Sequence, residues 1–384
     1  MLLVTTSLIN FSVIRPQNEK PQEEILRWLA KAHTKAEDLK QKRSPSSEDS
    51  LQFQKSIQEH LFSLGLGENK IQKRAVQALN YLDLDRDWTQ AEGMNFKERS
   101  HYFDLEASKA LEDFYKEESV PPSHLIHVSC TGYVAPSAAQ KLVSKRNFGS
   151  QTGVTHAYHM GCYASIPAIR IAKGFLKDSL ELNNQVDIVH TELCSLHINP
   201  LLHEPEQLVV QTLFADGFIK YSVVPGNNSF TKNSSLDLLS LHEEIIEGST
   251  LTMSWICEDW GMKMTLAKDI PSILASHITK FLHTLIKKSG LDPDTTLGNA
   301  LYAIHPGGPK VIQKIARLLT LSEEQISHSK EVLSNLGNMS SATLPHIWEK
   351  IVNDPSVPAK SLIISLAFGP GLTICGALFK KGEL

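Results

Sequence analysis

Short apolar runs alternate with amphipathic stretches along most of the chain, and that alternation decides its class. Met1 to Ile14 is an apolar, β-branched run closed by Arg15-Pro16 and reads as a first strand. From Pro21 to Ala36, residues Ile25, Leu26, Leu29 and Ala32 share one helical face, and Pro21 with a Glu pair suits a first turn. Lys40 to Ser50 is polar and reads as a loop, with helical patterns following from Ser56 to Leu84 and from Glu106 to Glu117. The character then changes. His124 to Cys130 reads as a strand, Ser137 to Val143 as a helix, Val186 to Cys194 as a strand, and Phe218 to Val224 as a strand after a turn at Asp216-Gly217.

Pro225 to Asp237 is rich in turn formers and marks the expected boundary between residues 1–225 and 236–384. Beyond it come a strand from Ser249 to Trp255, a helix from Ile273 to Lys287, a strand from Leu301 to Ile304 and a helix from Lys310 to Leu319. A helix near Ala342 and strands Ser361 to Phe368 and Thr373 to Phe379 complete the pattern. Strand–helix alternation on both sides of one boundary predicts an α/β protein with largely buried sheets.

Composition narrows the function. The 384 residues are 41% hydrophobic and 21% charged, ordinary values for a globular chain with room for more than one core. Thirty-eight basic against 42 acidic residues give a formal charge of −4, and no basic stripe tracks a phosphate backbone, so nucleic acid is not an expected partner. Five widely spaced cysteines with no CxxC pair argue against a disulfide scaffold or zinc ribbon and for a reducing, cytoplasmic address. Met1 to Ile14 lacks a basic start and is too short to span a bilayer, so neither signal peptide nor membrane span is expected.

Three residues carry candidate chemistry. Cys162 precedes a helical pattern (Ile166, Ile169, Ala172, Leu176), and Pro167 is tolerated only in a first turn, so the helix starts near Tyr163. A cysteine at that N-terminus has its thiolate favoured by the macrodipole. His305 is delivered by the Leu301 to Ile304 strand into Pro306-Gly307-Gly308-Pro309, a common place for an active-site histidine in α/β proteins. Asn338 lies in Gly337-Asn338-Met339-Ser340-Ser341-Ala342, where its amide can face an oxyanion. Taken singly, a packed cysteine, a loop histidine and a turn asparagine are the ordinary readings. Together, at separations of 143 and 33 residues, they supply a nucleophile, an imidazole and an amide donor for acyl transfer. His124 and His127, or His156 and His159, lack a convincing third metal ligand, and no metal is expected.

The motifs GCYASIPAIRIA, LFADG, AIHPGGPK, GNMSSA and FGPGLT occur in the order found in the chalcone and stilbene synthase family, the type III polyketide synthases, which the chain resembles over nearly its whole length. The resemblance implies a thiolase fold of two similar halves in five αβαβα layers, and a homodimer packed along a sheet edge. It implies that Cys162 takes a starter acyl group from coenzyme A or an acyl-carrier protein, and that His305 and Asn338 hold the oxyanion. Malonyl-CoA then extends the thioester by decarboxylative Claisen condensation, with CoA thioesters as substrates and no other cofactor. Phe214 matches a gatekeeper phenylalanine, whereas Met264 stands at a second gate and makes the neck more adaptable. The segment from Met253 to Met264 is more similar to bacterial members that load fatty acyl starters and form alkylpyrones or alkylresorcinols. The resemblance also places Cys194, Ser340, Gly307, Gly308, Phe368, Gly369 and Pro370 about the substrate. The family's basic CoA-binding positions fall on Leu61, Leu64 and Glu68 and are not carried over; Lys268 and Lys310, with Lys70 and Lys73, are the replacement candidates. Two other readings use the same triad: a ketoacyl-carrier-protein synthase that condenses once, and an inactive partner subunit that only shapes a heterodimer's cavity.

Overall fold

Nine strands join in one mixed sheet, and their order shows how the two parts of the chain meet. The computed structural model describes residues 6–67, 70–178, 184–226 and 235–382. The early strands are β1 (Thr6–Ile14), β2 (Glu19–Pro21), β3 (Lys73–Ala75), β4 (His124–Ser129), β5 (Gly153–Tyr158), β6 (Val186–Leu193) and β7 (Asp216–Pro225). They are followed by β8 (Leu236–Ile245), β9 (Met253–Glu258), β10 (Gly261–Leu266), β11 (Leu301–Ile304), β12 (Leu362–Gly369) and β13 (Thr373–Lys381). The helices are α1 (Gln22–Gln41), α2 (Glu48–Gly65), α3 (Ala78–Tyr81), α4 (Phe96–Phe114), α5 (Ala138–Lys145) and α6 (Ser165–Asp178). After them come α7 (Pro205–Leu213), α8 (Ile270–Lys287), α9 (Pro293–Asn299), α10 (Pro309–Leu319), α11 (Glu323–Leu336) and α12 (Thr343–Asn353).

On one side of the sheet β1 runs antiparallel to β7 and β7 to β6, while β6, β4 and β5 are parallel. On the other side β8 runs antiparallel to β13 and β13 to β12, while β12 and β11 are parallel. The first four strands of one series, β1-β7-β6-β4, match β8-β13-β12-β11 in order and direction, and β5 has no counterpart. The two series are stitched by β1 and β8, antiparallel from Thr6↔Leu238 to Leu8↔Leu236. Parallel neighbours require crossovers, and α5, α6 and α10–α12 occupy those connections.

The cores fall into layers. Helices α6 and α12 lie between the two parts of the sheet, packing Ile166, Ile169, Ile347 and Trp348 against Ile188, Tyr221, Ala377 and Phe379. A helix with sheet on both sides must be apolar nearly all round, which is how SIPAIRIA reads. Phe103, Leu111 and Leu142 of α4 and α5 cover the other face of β4 and β6. Ile278, Phe281 and Ile315 of α8 and α10 cover the far face of β12 and β13. This is the five-layer thiolase arrangement expected from the sequence.

The differences from expectation have local causes. The Ser56 to Leu84 pattern is not one helix: α2 stops at Gly65, Gly67 takes φ +132°, and Lys73–Ala75 pairs with β2. Helix α4 starts ten residues before the expected Glu106, fixed by an Asn95–Glu98 capping box. Asp216-Gly217 is strand rather than turn, because Asp216 accepts the Gln77 and Ser195 backbone N–H groups at 2.6 and 2.8 Å and is held flat. Ser249 to Thr252 is a turn, so the expected strand begins at Met253. Of the expected boundary at Pro225 to Asp237, residues 227–234 lie outside the described residues, as do Met1 to Thr5 of the first run and Glu68. No helix among the described residues is long and apolar enough to cross a membrane.

Candidate active site

After β5 the chain turns through a 3-10 segment, Gly161–Tyr163, directly into α6. That places Cys162 at the helix entry the sequence predicts, 6% exposed, with its thiol 3.7 Å from Ser340 Oγ. Burial dominates its electrostatics and pushes the thiol up to about 12. The Ser340 hydrogen bond pulls the other way, while the Glu192 carboxylate adds to the rise. The thiolate expected from helix position is therefore outweighed, and the resting group is a thiol.

Asn338 is held by its backbone and by one end of its amide. Its N–H donates to Leu213 O at 3.1 Å, and its carbonyl accepts from Ala215 N at 2.8 Å. Its Oδ1 accepts from Ser340 N at 2.9 Å and Thr343 Oγ1 at 3.4 Å, which leaves Nδ2 buried without a partner. His305 ends β11, where its N–H donates to Leu366 O at 2.8 Å, and both ring nitrogens are buried without partners. Burial lowers its pKa to about 3, so the ring is neutral, with one donor and one acceptor nitrogen.

Ser340 is the link between Cys162 and Asn338, touching the first by its hydroxyl and the second by its N–H. His305 follows β11, which pairs with β12, and the last residue of β12 packs on the cysteine turn. A Cβ on Gly369 would overlap the Tyr163 ring and lie 3.5 Å from Met160 O, so only glycine lets the strand end approach this closely. Gly308, beyond His305, faces Leu213, the residue whose carbonyl binds Asn338.

A cavity opens beside this cluster. Its walls include Cys130, Cys194, His197, Phe214, Trp255, Met262, Met264 and Ser340, and the cleft, with its opening to solvent, measures about 550 Å³. Met262 and Met264 are the most pliable of its wall side chains. Four residues singled out in the sequence, Cys194, Phe214, Met264 and Ser340, line it together. Phe214 also forms a parallel bridge with Asn338. Gly307, Gly308, Phe368, Gly369 and Pro370, like Cys162, His305 and Asn338, are not among the residues of this wall. Phe368 packs in the outer core with Ile304 and Leu372, and Gly369 allows close packing on Tyr163. Lys268 and Lys310 are exposed and away from its walls. Lys310 faces Lys70, whereas Lys73 pairs with Glu19 at 2.7 Å.

Sequence reasoning passed over Glu192. It is fully buried, and Ser341 Oγ donates to it, as do Thr131 Oγ1 at 2.9 Å and Cys130 N at 3.1 Å. With no cation to offset burial, its carboxyl is raised to about 7 despite those donors. His190 Nδ1, 3.0 Å from Ser341 Oγ, extends the network to Tyr221. The only signal in the sequence was its place in the strand beside Cys194. Trp255 was likewise missed as a wall residue; its Nε1 donates to Cys130 O at 2.6 Å. His124, His127 and His156 engage hydroxyls of Thr155, Thr191 and Ser137, and among the described residues no group of three or more His, Cys, Asp or Glu side chains could hold a metal ion.

Residues 237–381 match the family "Chalcone and stilbene synthases, C-terminal domain". The chain is 28% identical over 261 residues to "Probable polyketide synthase 1" of Dictyostelium discoideum, covering 67% of this chain but 8% of that protein. It is 25% identical over 266 residues to "Type III polyketide synthase A" of Arabidopsis thaliana, covering 67% of this chain and 66% of that one. Among solved structures it superimposes on the C-terminal type III polyketide synthase domain of Steely1, a type I/III hybrid from Dictyostelium, with TM-score 0.79 and 21% identity, over 99% and 100% of the two chains. PKS-I of the brown alga Ectocarpus siliculosus gives TM-score 0.81 at 20% identity over 99% of each chain. Residues 237–381 are thus a chalcone and stilbene synthase C-terminal domain, in a chain that is homologous to the type III polyketide synthases and has their thiolase fold.

Proposed function

We propose that this chain is a type III polyketide synthase, an acyltransferase that loads an acyl starter onto Cys162 and extends it with malonyl-CoA. The observation that carries the reading is that Asn338 Nδ2 and both His305 ring nitrogens are buried without partners, and that Asn338 is joined to the Cys162 thiol through Ser340. Buried polar groups without partners are costly, and an oxyanion that arrives only with substrate would satisfy them. In this reading neutral His305 takes the Cys162 proton as sulfur attacks the starter thioester and the coenzyme A thiolate leaves. Malonyl-CoA next loses CO₂, and the enolate oxygen so formed is held by Asn338 Nδ2 and the histidine N–H. The enolate carbon attacks the Cys162 thioester, a carbon–carbon bond forms, and Cys162 leaves as thiolate.

The methionine-lined wall favours medium- or long-chain aliphatic starters, delivered by coenzyme A or an acyl-carrier protein, with lactone closure to a pyrone or ring closure to a resorcinol. Residues 1–225 would supply the nucleophile and 236–384 the donors, in a cytoplasmic homodimer joined along β5, the terminal strand of the sheet. Lys268 and Lys310, with Lys70, are the candidate contacts for the coenzyme A phosphates.

The test is purified protein given labelled malonyl-CoA and a panel of aliphatic and aromatic acyl-CoA starters, with products read by mass spectrometry. Triketide and tetraketide products from aliphatic starters are expected, and Cys162→Ala should abolish them with the dimer intact. Absence of malonyl incorporation from every starter would overturn the reading. Products that stop at one condensation would instead indicate the ketoacyl-carrier-protein synthase alternative.

A further inference from the structure

The end of helix α7 leaves four successive carbonyls, Gln211 to Phe214, without partners inside the helix, at the negative end of its macrodipole. All four are answered by side chains or backbone from elsewhere. Gln211 O accepts from Arg74 Nη2 at 2.8 Å, and Phe214 O accepts from Arg74 Nη1. Thr212 O accepts from Gln22 Nε2 at 2.8 Å, and Leu213 O accepts the Asn338 N–H at 3.1 Å. Arg74 Nε in turn donates to Gln22 Oε1 at 2.8 Å, so one guanidinium and one amide form a single clamp.

Arg74 is fully buried, yet its charge survives: burial lowers its pKa only to about 10, and the Asp216 carboxylate opposes that fall. The clamp touches the site on two sides. Phe214 is a cavity wall residue and is bridged to Asn338. Gly337, just before Asn338, has φ +74°, and a Cβ there would lie 2.9 Å from Ala215 Cβ and 3.3 Å from both Arg74 Cβ and Leu213 O. Strand β3, the end of α7 and the asparagine turn therefore meet at one point with no space between them.

We propose that Arg74 is a positioning residue that sets the Phe214 ring against the cavity and the Asn338 amide toward the reacting carbonyl, acting through the carbonyls it holds. It touches neither substrate nor the Cys162 turn. Its function is to fix starter selectivity and oxyanion geometry together. This inference rests on the condensing-enzyme reading above.

The experiment compares wild type, Arg74→Ala and Arg74→Lys in kcat and in the product profile from hexanoyl-CoA against dodecanoyl-CoA, with and without methylguanidine. Arg74→Ala should lose about 10- to 100-fold in kcat and shift the starter preference. Added methylguanidine should restore both, because it fits the space the side chain leaves. Arg74→Lys, which keeps the charge but not the fork, should show the same shift in preference with a smaller loss. Gln22→Met supplies a milder version of the shift where the Arg74 variants do not fold. An unchanged starter profile, with activity falling only in proportion to folded protein and no response to methylguanidine, would overturn the assignment. Wild type that extends no starter would instead defeat the condensing reading, and this inference would fall with it.

Discussion

The Cys162 thiol donates to Ser340 Oγ across 3.7 Å, and this hydroxyl is the neighbour that draws the thiol pKa downward against burial. The same oxygen lies 2.9 Å from Cys130 Sγ, so it sits between two sulfurs. Because burial holds Cys162 near 12, its alkylation by iodoacetamide should keep rising with pH from 7 to 10 without a plateau. Ser340→Ala should slow that labelling about threefold or more at pH 8, as less thiolate forms. Peptide mass spectrometry of the Cys162 adduct against time measures both.

Asn338→Ala removes the unpartnered Nδ2 and leaves its backbone hydrogen bonds in place. Loss of one such donor costs about 3 kcal/mol of transition-state stabilisation, or roughly 100-fold in turnover. Malonyl-CoA consumption per folded protein with a saturating starter should fall by that factor, and the melting temperature should drop as well, because the buried Ser340 N–H loses its Oδ1 acceptor.

Met264 is 7% exposed and lies on the cavity wall, its carbonyl pinned by Gln207 Nε2 at 2.7 Å. Its backbone therefore stays put when the side chain changes. Met264→Phe should replace a bendable wall by a rigid one and reduce use of dodecanoyl-CoA about tenfold relative to hexanoyl-CoA. Competition between the two starters in one reaction gives the ratio directly.

Glu192 links pH to stability. Its folded carboxyl holds its proton to about 7, against an ordinary value of 4.5. The unfolded chain therefore ionises first as pH rises. Stability from this group is fully present below pH 4.5 and is lost progressively up to pH 7, a change of about 3 kcal/mol. Asp216, raised to about 6, does the same over a lower range. The buried histidines act alike in both proteins, so the difference isolates this group: urea unfolding should show wild type losing stability relative to Glu192→Gln as pH rises from 5 to 7.

Much of this was legible before the structure. The helix entry at Cys162 followed from Pro167, and strand β11 was bounded by its own apolar run and the glycine turn after His305. Local pattern suffices where an element is long, apolar and punctuated. It failed at β5, whose Gly-Val-Thr-His-Ala-Tyr is mixed because it is the terminal strand, half exposed. It failed again at Glu192, whose state depends on donors from Ser341 and Cys130, 149 and 62 residues away. The cavity wall was half read: Phe214 and Met264 came from motifs, whereas Trp255 and Met262 stand on a β9–β10 hairpin whose placement no short-range signal reveals.

The N-terminal strand has a consequence for how the chain comes into being. Because β1 is inserted between β7 and β8, and β8 is completed only by β13, the residues of β1 must wait for those of β13 before the central sheet closes. Such distant pairing makes folding slow and exposes unpaired edges meanwhile. A nascent chain still tethered at residue 360 would lack β12 and β13 altogether, leaving α8 to cover β8 without its β13 neighbour.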